Sequence, residues 1–254
     1  MNDSSLLDLA VSLVARAAAK ILEIRAAGFE VDAKSDETPV TVADMQAEAI
    51  IVAGLRAAAP HIPVIAEEEV AAGRLTAPAR EYWLVDPLDG TREFAAGRAE
   101  FAVNIGLIEN GAPVLGVVAS PALEELHFGI VGQGAWRRRG GGTAQPIAAR
   151  APPPQGLTVM ASRHYADAPE LASCLSQYKI AALSNIGSAL KFLRLAEGAA
   201  DFYPRLGRTM EWDTAAPQAV LEAAGGAVLT MAGQPLRYGK PGWENPDFRA
   251  WGLR

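Results

Sequence analysis

The 254-residue sequence has a single cysteine, Cys174, and only three histidines. One cysteine cannot form a disulfide within the chain, and a thiolate zinc site needs more Cys and His ligands than these. The N-terminus opens with Asn2-Asp3-Ser4-Ser5, whereas an export signal has a basic segment followed by an apolar core. We therefore expect a soluble protein in the reducing cytoplasm, with peripheral association with the inner membrane left open.

Long basic runs and long apolar runs are also missing. The formal net charge is -6, and the most basic stretch is Arg137-Arg138-Arg139, which we interpret as an exposed hairpin tip. A nucleic-acid polymer is therefore not an expected partner. No window is both long enough and sufficiently uncharged to span a bilayer, so we expect no integral membrane segment. Half of the residues are apolar and a fifth are charged, as in an ordinary globular enzyme.

Hydrophobic periodicity predicts two lobes, 1–150 and 151–254. The first lobe begins with a long helix that has a Ser5-x-x-Asp8 start and ends at Gly28, and it continues into an antiparallel meander over 101–131. A Gly-rich and Pro-rich stretch over 140–156 marks the boundary. The second lobe alternates strands and helices, one helix starting at Ser188, which favours an α/β layer. The tail from Lys240 onward is predicted to be irregular.

The stretch 82–91 carries the strongest chemical signal. An apolar strand ends abruptly in Asp86-Pro87-Leu88-Asp89-Gly90-Thr91, and Pro87 and Gly90 favour a tight turn that points both carboxylates to one side. Two anions this close repel each other unless a cation lies between them. Oxygen ligands without Cys or His suit Mg²⁺ better than Zn²⁺. The alternative is an Asx-type turn with no chemical role.

Three further acids stand at the ends of predicted elements. Glu67 follows an apolar strand over 62–66, and Asp44 and Asp213 lie near helix starts. Each has a structural alternative: Glu67 as part of a solvated acidic loop, and Asp44 as a helix cap that complements the helix dipole. Only a shared site would need all of them at element ends.

The acids identify a family resemblance over essentially the whole chain. The pattern resembles the inositol monophosphatase superfamily of lithium-sensitive, Mg²⁺-dependent phosphatases. The segments that carry it are 64–69 (VIAEEE), 83–91 (WLVDPLDGT) and 211–216 (EWDTAA). Ala66 departs from the Gly or Ser that relatives usually have there. The resemblance implies a layered αβαβα sandwich, an α/β (α+β) fold.

Within the superfamily, the chain is most similar to the 3′(2′),5′-bisphosphate nucleotidases of the CysQ type. The segments that favour this group are 39–44 (PVTVAD), 89–94 (DGTREF), 100–105 (EFAVNI), 161–164 (ASRH), 187–192 (GSALKF) and 203–205 (YPR). The expected activity is Mg²⁺-dependent hydrolysis of adenosine 3′,5′-bisphosphate to AMP, with its sulfated precursor as a second substrate. The expected partner is this small-molecule nucleotide, and the protein is a monomer or a homodimer.

The resemblance also implies a set of metal ligands and catalytic residues. One Mg²⁺ is held by Glu67, Asp86 and the Leu88 carbonyl, and a second by Asp86, Asp89 and Asp213, with a third, looser ion arriving with substrate. Asp44 and Thr91 orient and deprotonate the attacking water, and Glu67 is counted with them as catalytic.

Substrate contacts follow from the same resemblance. On the side of the cleaved phosphate they are Leu88, Asp89, Gly90, Thr91 and Asp213. On the side of the nucleoside and its 5′-phosphate they are His164, Ser188, Lys191 and Arg205. Structural alternatives for the last group are an incidental loop histidine, a lysine that solvates its helix, and a surface ion pair for Arg205.

The sequence leaves two other functions open. The first is an inositol-1-phosphate or fructose-1,6-bisphosphate phosphatase with the same metal centre, which Arg92-Glu93-Phe94 and Lys191-Phe192 disfavour. The second is a catalytically silent regulator that binds nucleotide, which the presence of all five acids and Thr91 disfavours.

Overall fold

The computed structural model of the protein describes residues 2–33, 39–163 and 169–253. Its helices are α1 Asp3–Ala27, α2 Val42–Ala58, α3 Glu67–Ala71, α4 Thr91–Ala95, α5 Pro169–Leu175, α6 Leu190–Ala196 and α7 Glu211–Ala223. In this part of the chain, none of the helices has the combination of length and apolar character that crossing a bilayer requires.

Strands β1 Val31–Ala33 and β2 Pro39–Thr41 form a small antiparallel pair. A seven-stranded sheet contains, in spatial order, β3 Val64–Ala66, β4 Glu81–Asp89, β5 Ala102–Glu109, β6 Ala112–Ser120, β7 Glu125–Ile130, β8 Gly134–Arg139 and β9 Gln145–Ile147. Its strands are antiparallel except for the β3–β4 pair.

A second, five-stranded sheet has the order β11-β10-β12-β14-β13. Its strands are β10 Leu157–Ser162, β11 Ile180–Ile186, β12 Phe202–Arg205, β13 Ala227–Thr230 and β14 Phe248–Trp251. The β10 strand is parallel to both of its neighbours, and β14 is antiparallel to its neighbours.

Three hydrophobic clusters stack these elements into five layers. Helices α1 and α2 cover one face of the seven-stranded sheet. Helices α6 and α7 lie between the two sheets, where Leu193 and Val220 share a core with Phe248 of β14. Helix α5 covers the outer face of the five-stranded sheet, with Cys174 against Val159. The expected αβαβα arrangement is confirmed.

Glycines let α7 lie close to the seven-stranded sheet. A Cβ atom built at Gly116 of β6 would come within 2.1 Å of the Ala216 carbonyl oxygen, and one at Gly106 of β5 within 2.7 Å of the Ala216 nitrogen. Any side chain at these positions would push the helix away. The start of α7 is thereby held against the strand ends that carry the acids.

The predicted meander is confirmed as β5, β6 and β7, but other local predictions were wrong. Helix α1 begins at Asp3, capped by the Asn2 side chain, which accepts from the Ser5 N–H. Arg137 and Arg139 belong to strand β8 rather than to a hairpin tip, because they pair with His127 and Glu125 of β7. Their side chains form ion pairs with Glu197 and Glu125.

The tail was also wrongly predicted to be irregular, since it contains β14, an interior strand of the five-stranded sheet. The strands of the two sheets lie on either side of residue 150, while α7 packs against both sheets. The division into lobes 1–150 and 151–254 stays a prediction.

Candidate active site

Three acidic side chains from separate elements meet at one edge of the seven-stranded sheet. Glu67 is the first residue of α3 directly after β3, Asp86 lies on β4, and Asp213 lies in the first turn of α7. Carboxylate oxygens of these three residues lie within 4.8 Å of one another. The parallel pairing of β3 and β4 brings Glu67 and Asp86 to the same edge, and the close packing of α7 adds Asp213.

Asp89 completes the acidic group on the cavity wall. It lies at the end of β4, and its Oδ2 accepts a hydrogen bond from the Ala189 N–H. Gly90, which follows, has a left-handed conformation with φ of 92°. A Cβ atom there would lie only 3.0 Å from the Glu100 carbonyl oxygen, so glycine fits both the turn and the space.

Burial and neighbouring charges raise the pKa of Asp213 and of Asp89. Burial, followed by the charges of Asp89 and Glu67, raises the pKa of Asp213 from 3.8 to about 7. Burial also raises the pKa of Asp89 to about 6, although the Lys191 charge opposes the shift. Carboxylates packed in this way are unfavourable without a counter-charge, and all-oxygen donors suit a hard divalent cation. The residues present therefore fit Mg²⁺.

Asp44 and Thr91 are joined by a hydrogen bond. Asp44 is buried in the first turn of α2, where its Oδ2 accepts from the backbone N–H and the hydroxyl of Thr41, both at 2.7 Å. Its Oδ1 accepts from the Thr91 hydroxyl at 3.0 Å. Burial raises the pKa of Asp44, and the Thr41 bonds oppose this shift. Asp44 is thus the reciprocal partner in a capping box headed by Thr41, and it also faces the site.

Leu88 contributes through its backbone. Its N–H donates to Asp86 Oδ1 at 3.0 Å, and its carbonyl oxygen lies 3.1 Å from the Thr91 hydroxyl. The side chains of Asp86 and Leu88 are both buried. The turn between β4 and α4 therefore connects the acidic group to the Asp44–Thr91 pair.

A cavity of about 410 Å³ opens beside the acids. The cavity is lined by Glu67, Asp89 and Asp213 and also by the predicted nucleotide contacts Ser188, Lys191 and Arg205. His164, the fourth predicted contact, lies outside the described residues. Acidic and basic side chains thus line the same cavity.

Lys191 is buried rather than solvated. Its Nζ donates to the carbonyl oxygens of Ile186 at 3.2 Å and Ser188 at 2.6 Å, and it lies 5.3 Å from the centre of the Tyr203 ring. Burial lowers its pKa to about 8, although the Asp89 charge opposes the shift. Helix α6 begins at Leu190, so Ser188 precedes the helix, with φ of 53°, instead of starting it.

Arg205 lines the cavity and also holds the backbone of the loop that follows it. Its guanidinium donates to the carbonyl oxygens of Gly207 at 3.0 Å and Arg208 at 2.6 Å. These bonds shape the loop between β12 and α7, and Arg208 also lines the cavity.

Two segments that carry the nucleotidase resemblance lie against each other. A Cβ atom at Gly187 would come within 2.8 Å of Glu93 Cγ, so the buried Glu93 packs directly on the 186–188 turn. Glu93 belongs to the segment 89–94, and the turn belongs to 187–192.

Sequence reasoning missed Thr41, Glu48 and Tyr203. Glu48 Oε2 accepts from the Glu68 N–H at 2.7 Å and so fixes the start of α3, which carries Glu67. Burial raises the pKa of Glu48 to about 7. A charged residue among the core-facing positions of α2 was the signal for Glu48, and the Thr-x-x-Asp spacing was the signal for Thr41.

A second group of potential ligands is an ion-pair network. Glu125, His127 and Glu197 come within 4.8 Å of one another, but three arginines pair with the carboxylates: Arg137, Arg139 and Arg194. Against the effect of burial, the His127 hydrogen bond and the Arg194 charge lower the pKa of Glu197 to about 2. Carboxylates already paired with arginines are poor ligands for a cation.

Comparisons with known proteins agree with this geometry. A sequence model described as the inositol monophosphatase family matches residues 2–249. The 3′(2′),5′-bisphosphate nucleotidase CysQ of Escherichia coli O157:H7 is 42% identical over 247 residues, which cover 96% of this chain and 98% of that protein. The nucleotidase of the same name from Salmonella typhimurium is 44% identical over 217 residues, covering 85% of this chain and 86% of that protein.

Solved structures give the same picture. CysQ from Bacteroides thetaiotaomicron, a bacterial member of the inositol monophosphatase family, superposes with a TM-score of 0.81 at 34% identity, over 98% of both chains. An inositol monophosphatase from Anabaena superposes with a TM-score of 0.79 at 28% identity, over 100% of this chain and 92% of that chain.

Proposed function

This chain belongs to the inositol monophosphatase family, and from that premise we propose that it is a Mg²⁺-dependent 3′(2′),5′-bisphosphate nucleotidase. Its reaction is hydrolysis of the 3′-phosphate of adenosine 3′,5′-bisphosphate to AMP and phosphate, with the sulfated precursor as a second substrate. The observation that carries the proposal is one cavity lined both by members of a carboxylate cluster and by buried Lys191 with Arg205. Relatives of this name cover nearly the whole chain.

The acidic residues at the cavity would hold the cations. Glu67, Asp86 and the Leu88 carbonyl form one set of ligands, and Asp86, Asp89 and Asp213 form the second, with a third ion accompanying substrate. Bound Mg²⁺ supplies Lewis acidity for the phosphoryl oxygens and lowers the pKa of a bound water. The cations also reverse the local field, so that a protein of net charge -6 can accept an anionic substrate.

Thr91 and Asp44 position the attacking water. The Thr91 hydroxyl has one proton and two acceptors within reach, Asp44 Oδ1 at 3.0 Å and the Leu88 carbonyl at 3.1 Å. Because the Leu88 carbonyl would be a metal ligand in the proposed site, Thr91 would donate its proton to Asp44 and keep its lone pairs to accept from the attacking water. Thr41 occupies the other oxygen of Asp44 and fixes its orientation.

The backbone N–H groups of Gly90 and Thr91 face the phosphate that is cleaved.

The basic residues of the cavity bind the rest of the nucleotide. Two of the three Lys191 ammonium hydrogens go to backbone carbonyls, and the lysine lines the cavity, so its charge is held in place before substrate arrives. Ser188, His164 and Arg205 complete the proposed contacts to the nucleoside and its 5′-phosphate. A monomeric or homodimeric state and a cytoplasmic location belong to the same proposal.

The test is phosphate release from adenosine 3′,5′-bisphosphate, inositol-1-phosphate and fructose-1,6-bisphosphate, measured side by side with Mg²⁺. We expect the highest kcat/KM with the nucleotide. Asp86→Asn is expected to abolish turnover while the circular dichroism spectrum stays unchanged, and Asp247→Asn, at an exposed carboxylate, should retain activity. A higher kcat/KM for either sugar phosphate would assign the other phosphatase function. No turnover of any substrate would favour the silent regulator.

A further inference from the structure

Asn104 of β5 is a buried amide with no internal partner. Its side chain is 0% exposed, and among the described residues neither Oδ1 nor Nδ2 has a hydrogen-bond partner. Buried polar groups in folded proteins are almost always paired, and an exception usually marks an ordered water, an ion or a functional site. The amide therefore needs a partner that comes from outside the chain or forms only in a bound state.

The position of Asn104 points to the metal ligands. It stands directly opposite Asp86 in the antiparallel register of β4 and β5, and directly opposed side chains lie on one face with Cβ atoms about 5 Å apart. Two residues further on, Gly106 lies against the backbone of Ala216 in α7, so this face is the one that α7 covers. Asn104 thus lies on the side of the sheet that receives Asp213.

The chemistry of an amide suits this place. Asp86 Oδ1 accepts the Leu88 N–H, and in the proposed function Asp86 would be a ligand of both cations. An amide can donate to that carboxylate, or to a water on it, and accept from another donor at its other end. Partners of metal ligands commonly set ligand orientation and metal affinity. For folding alone, an apolar side chain of the same shape would serve better.

We propose that Asn104 is a positioning residue for the metal site, its side-chain amide orienting Asp86, directly or through one buried water, when divalent cations bind. This inference rests on the metal site of the proposed function and not on the identity of the substrate. It assigns Asn104 no contact with the reacting atoms.

The test measures Mg²⁺ binding to the metal-free protein by isothermal titration calorimetry, with no substrate present. Asn104→Leu keeps the shape of the side chain and removes its polarity, and we expect Mg²⁺ affinity to fall about tenfold. The midpoint of urea unfolding without metal should stay the same or rise. Asn104→Ala removes the amide without adding bulk and should lose affinity to a similar degree, while Asn104→Ser, which keeps a hydroxyl, should recover part of it.

Ser120→Ala is the matched control. Ser120 of β6 is also 0% exposed, and its hydroxyl has no hydrogen-bond partner in the part of the chain that the structure describes. Its partner across the sheet is Glu125 of β7 rather than a proposed metal ligand. Mg²⁺ affinity of this variant should equal that of wild type.

Wild-type Mg²⁺ affinity in Asn104→Ala or Asn104→Leu would overturn the inference and leave the metal site standing. A wild-type protein that binds no Mg²⁺ would overturn both. If wild type binds Mg²⁺ with the expected dependence on Asn104 but releases no phosphate from the nucleotide, the proposed substrate is wrong and the role of Asn104 stands.

Discussion

Asp213 should make the stability of the metal-free protein fall as pH rises. Its pKa is raised from 3.8 to about 7 by burial and by the charges of Asp89 and Glu67. A carboxyl whose pKa is higher in the folded state than in the unfolded chain binds its proton more tightly when folded. The free energy of unfolding is therefore greatest at low pH and declines between about pH 4 and about pH 7, as the unfolded chain loses this proton before the folded protein does.

The magnitude follows from the size of the shift. A shift of one pKa unit is worth about 1.4 kcal/mol, so complete ionisation of Asp213 costs the fold about 4 kcal/mol. About 2 kcal/mol of this falls between pH 5.5 and pH 8. Both figures are upper limits, because Asp213 is only partly buried and solvent screens its charge. Mg²⁺ at about 100 times its Kd adds about 2.7 kcal/mol to stability, enough to offset the loss.

The assay is urea denaturation of the chelator-treated protein at pH 5.5 and pH 8, with and without Mg²⁺. Asp213→Asn cannot ionise there, so the contribution of about 2 kcal/mol assigned to Asp213 should vanish, while Asp89 and Glu48, whose pKa values are also raised, keep theirs. Mg²⁺ should stabilise the variant less. Glu222→Gln is the matched control: burial also raises the pKa of Glu222, but it lies at the other end of α7, and its contribution should not respond to Mg²⁺. An Asp213→Asn protein with the wild-type pH dependence would refute the reasoning.

Two further predictions concern Lys191 at the cavity and Arg194 in the ion-pair network. Lys191→Met should raise KM for the bisphosphate about 10-fold to 100-fold, the loss of one charge-assisted hydrogen bond, and should change KM for a simple phosphomonoester much less. Lys240→Met is the control, because Lys240 likewise lies 5.3 Å from a tyrosine ring, and it should leave both KM values unchanged. If Lys191→Met raised KM equally for the two substrates, Lys191 would not belong to the nucleotide site. Arg194→Met leaves two buried carboxylates short of a partner and should lower the free energy of unfolding by roughly 3–5 kcal/mol. Arg138→Met on strand β8 is the control and should change it by only roughly 0.5 kcal/mol, as is typical of surface substitutions. Urea denaturation of both variants at neutral pH would contradict this if their midpoints matched.

The acidic motif shows what sequence can indicate about a site. Asp86, Asp89 and Asp213 each stand where an apolar run ends or a helix begins, and such boundaries are visible in the local pattern. The β5–β7 meander was predictable for the same reason, whereas the layered fold was predicted from the family resemblance. The family resemblance then supplied roles that spacing alone did not.

Positions whose partners lie far away in the chain were harder to predict. The tail forms β14 because β12 and β13 flank it, and nothing within the tail itself shows this. The local sequence predicts a surface run at Arg137 and Arg139, but in the structure these residues form ion pairs with Glu197 and Glu125. Tertiary context decides such cases, because strand pairing and ion pairs join residues that the local pattern treats separately.

The sequence by itself determined which carboxylates, together with Thr91, stand at the end of an apolar run or near a helix start and could take part in a site, since turn and periodicity signals act over a few residues. Only the tertiary structure decided that Asp89 accepts from Ala189, one hundred residues away, that Lys191 is buried, and that Asn104 stands opposite Asp86. These depend on how α7 and the 186–188 turn pack on the sheet. Packing brings together groups that no short-range pattern links, and burial there changes their charge and hydrogen bonding.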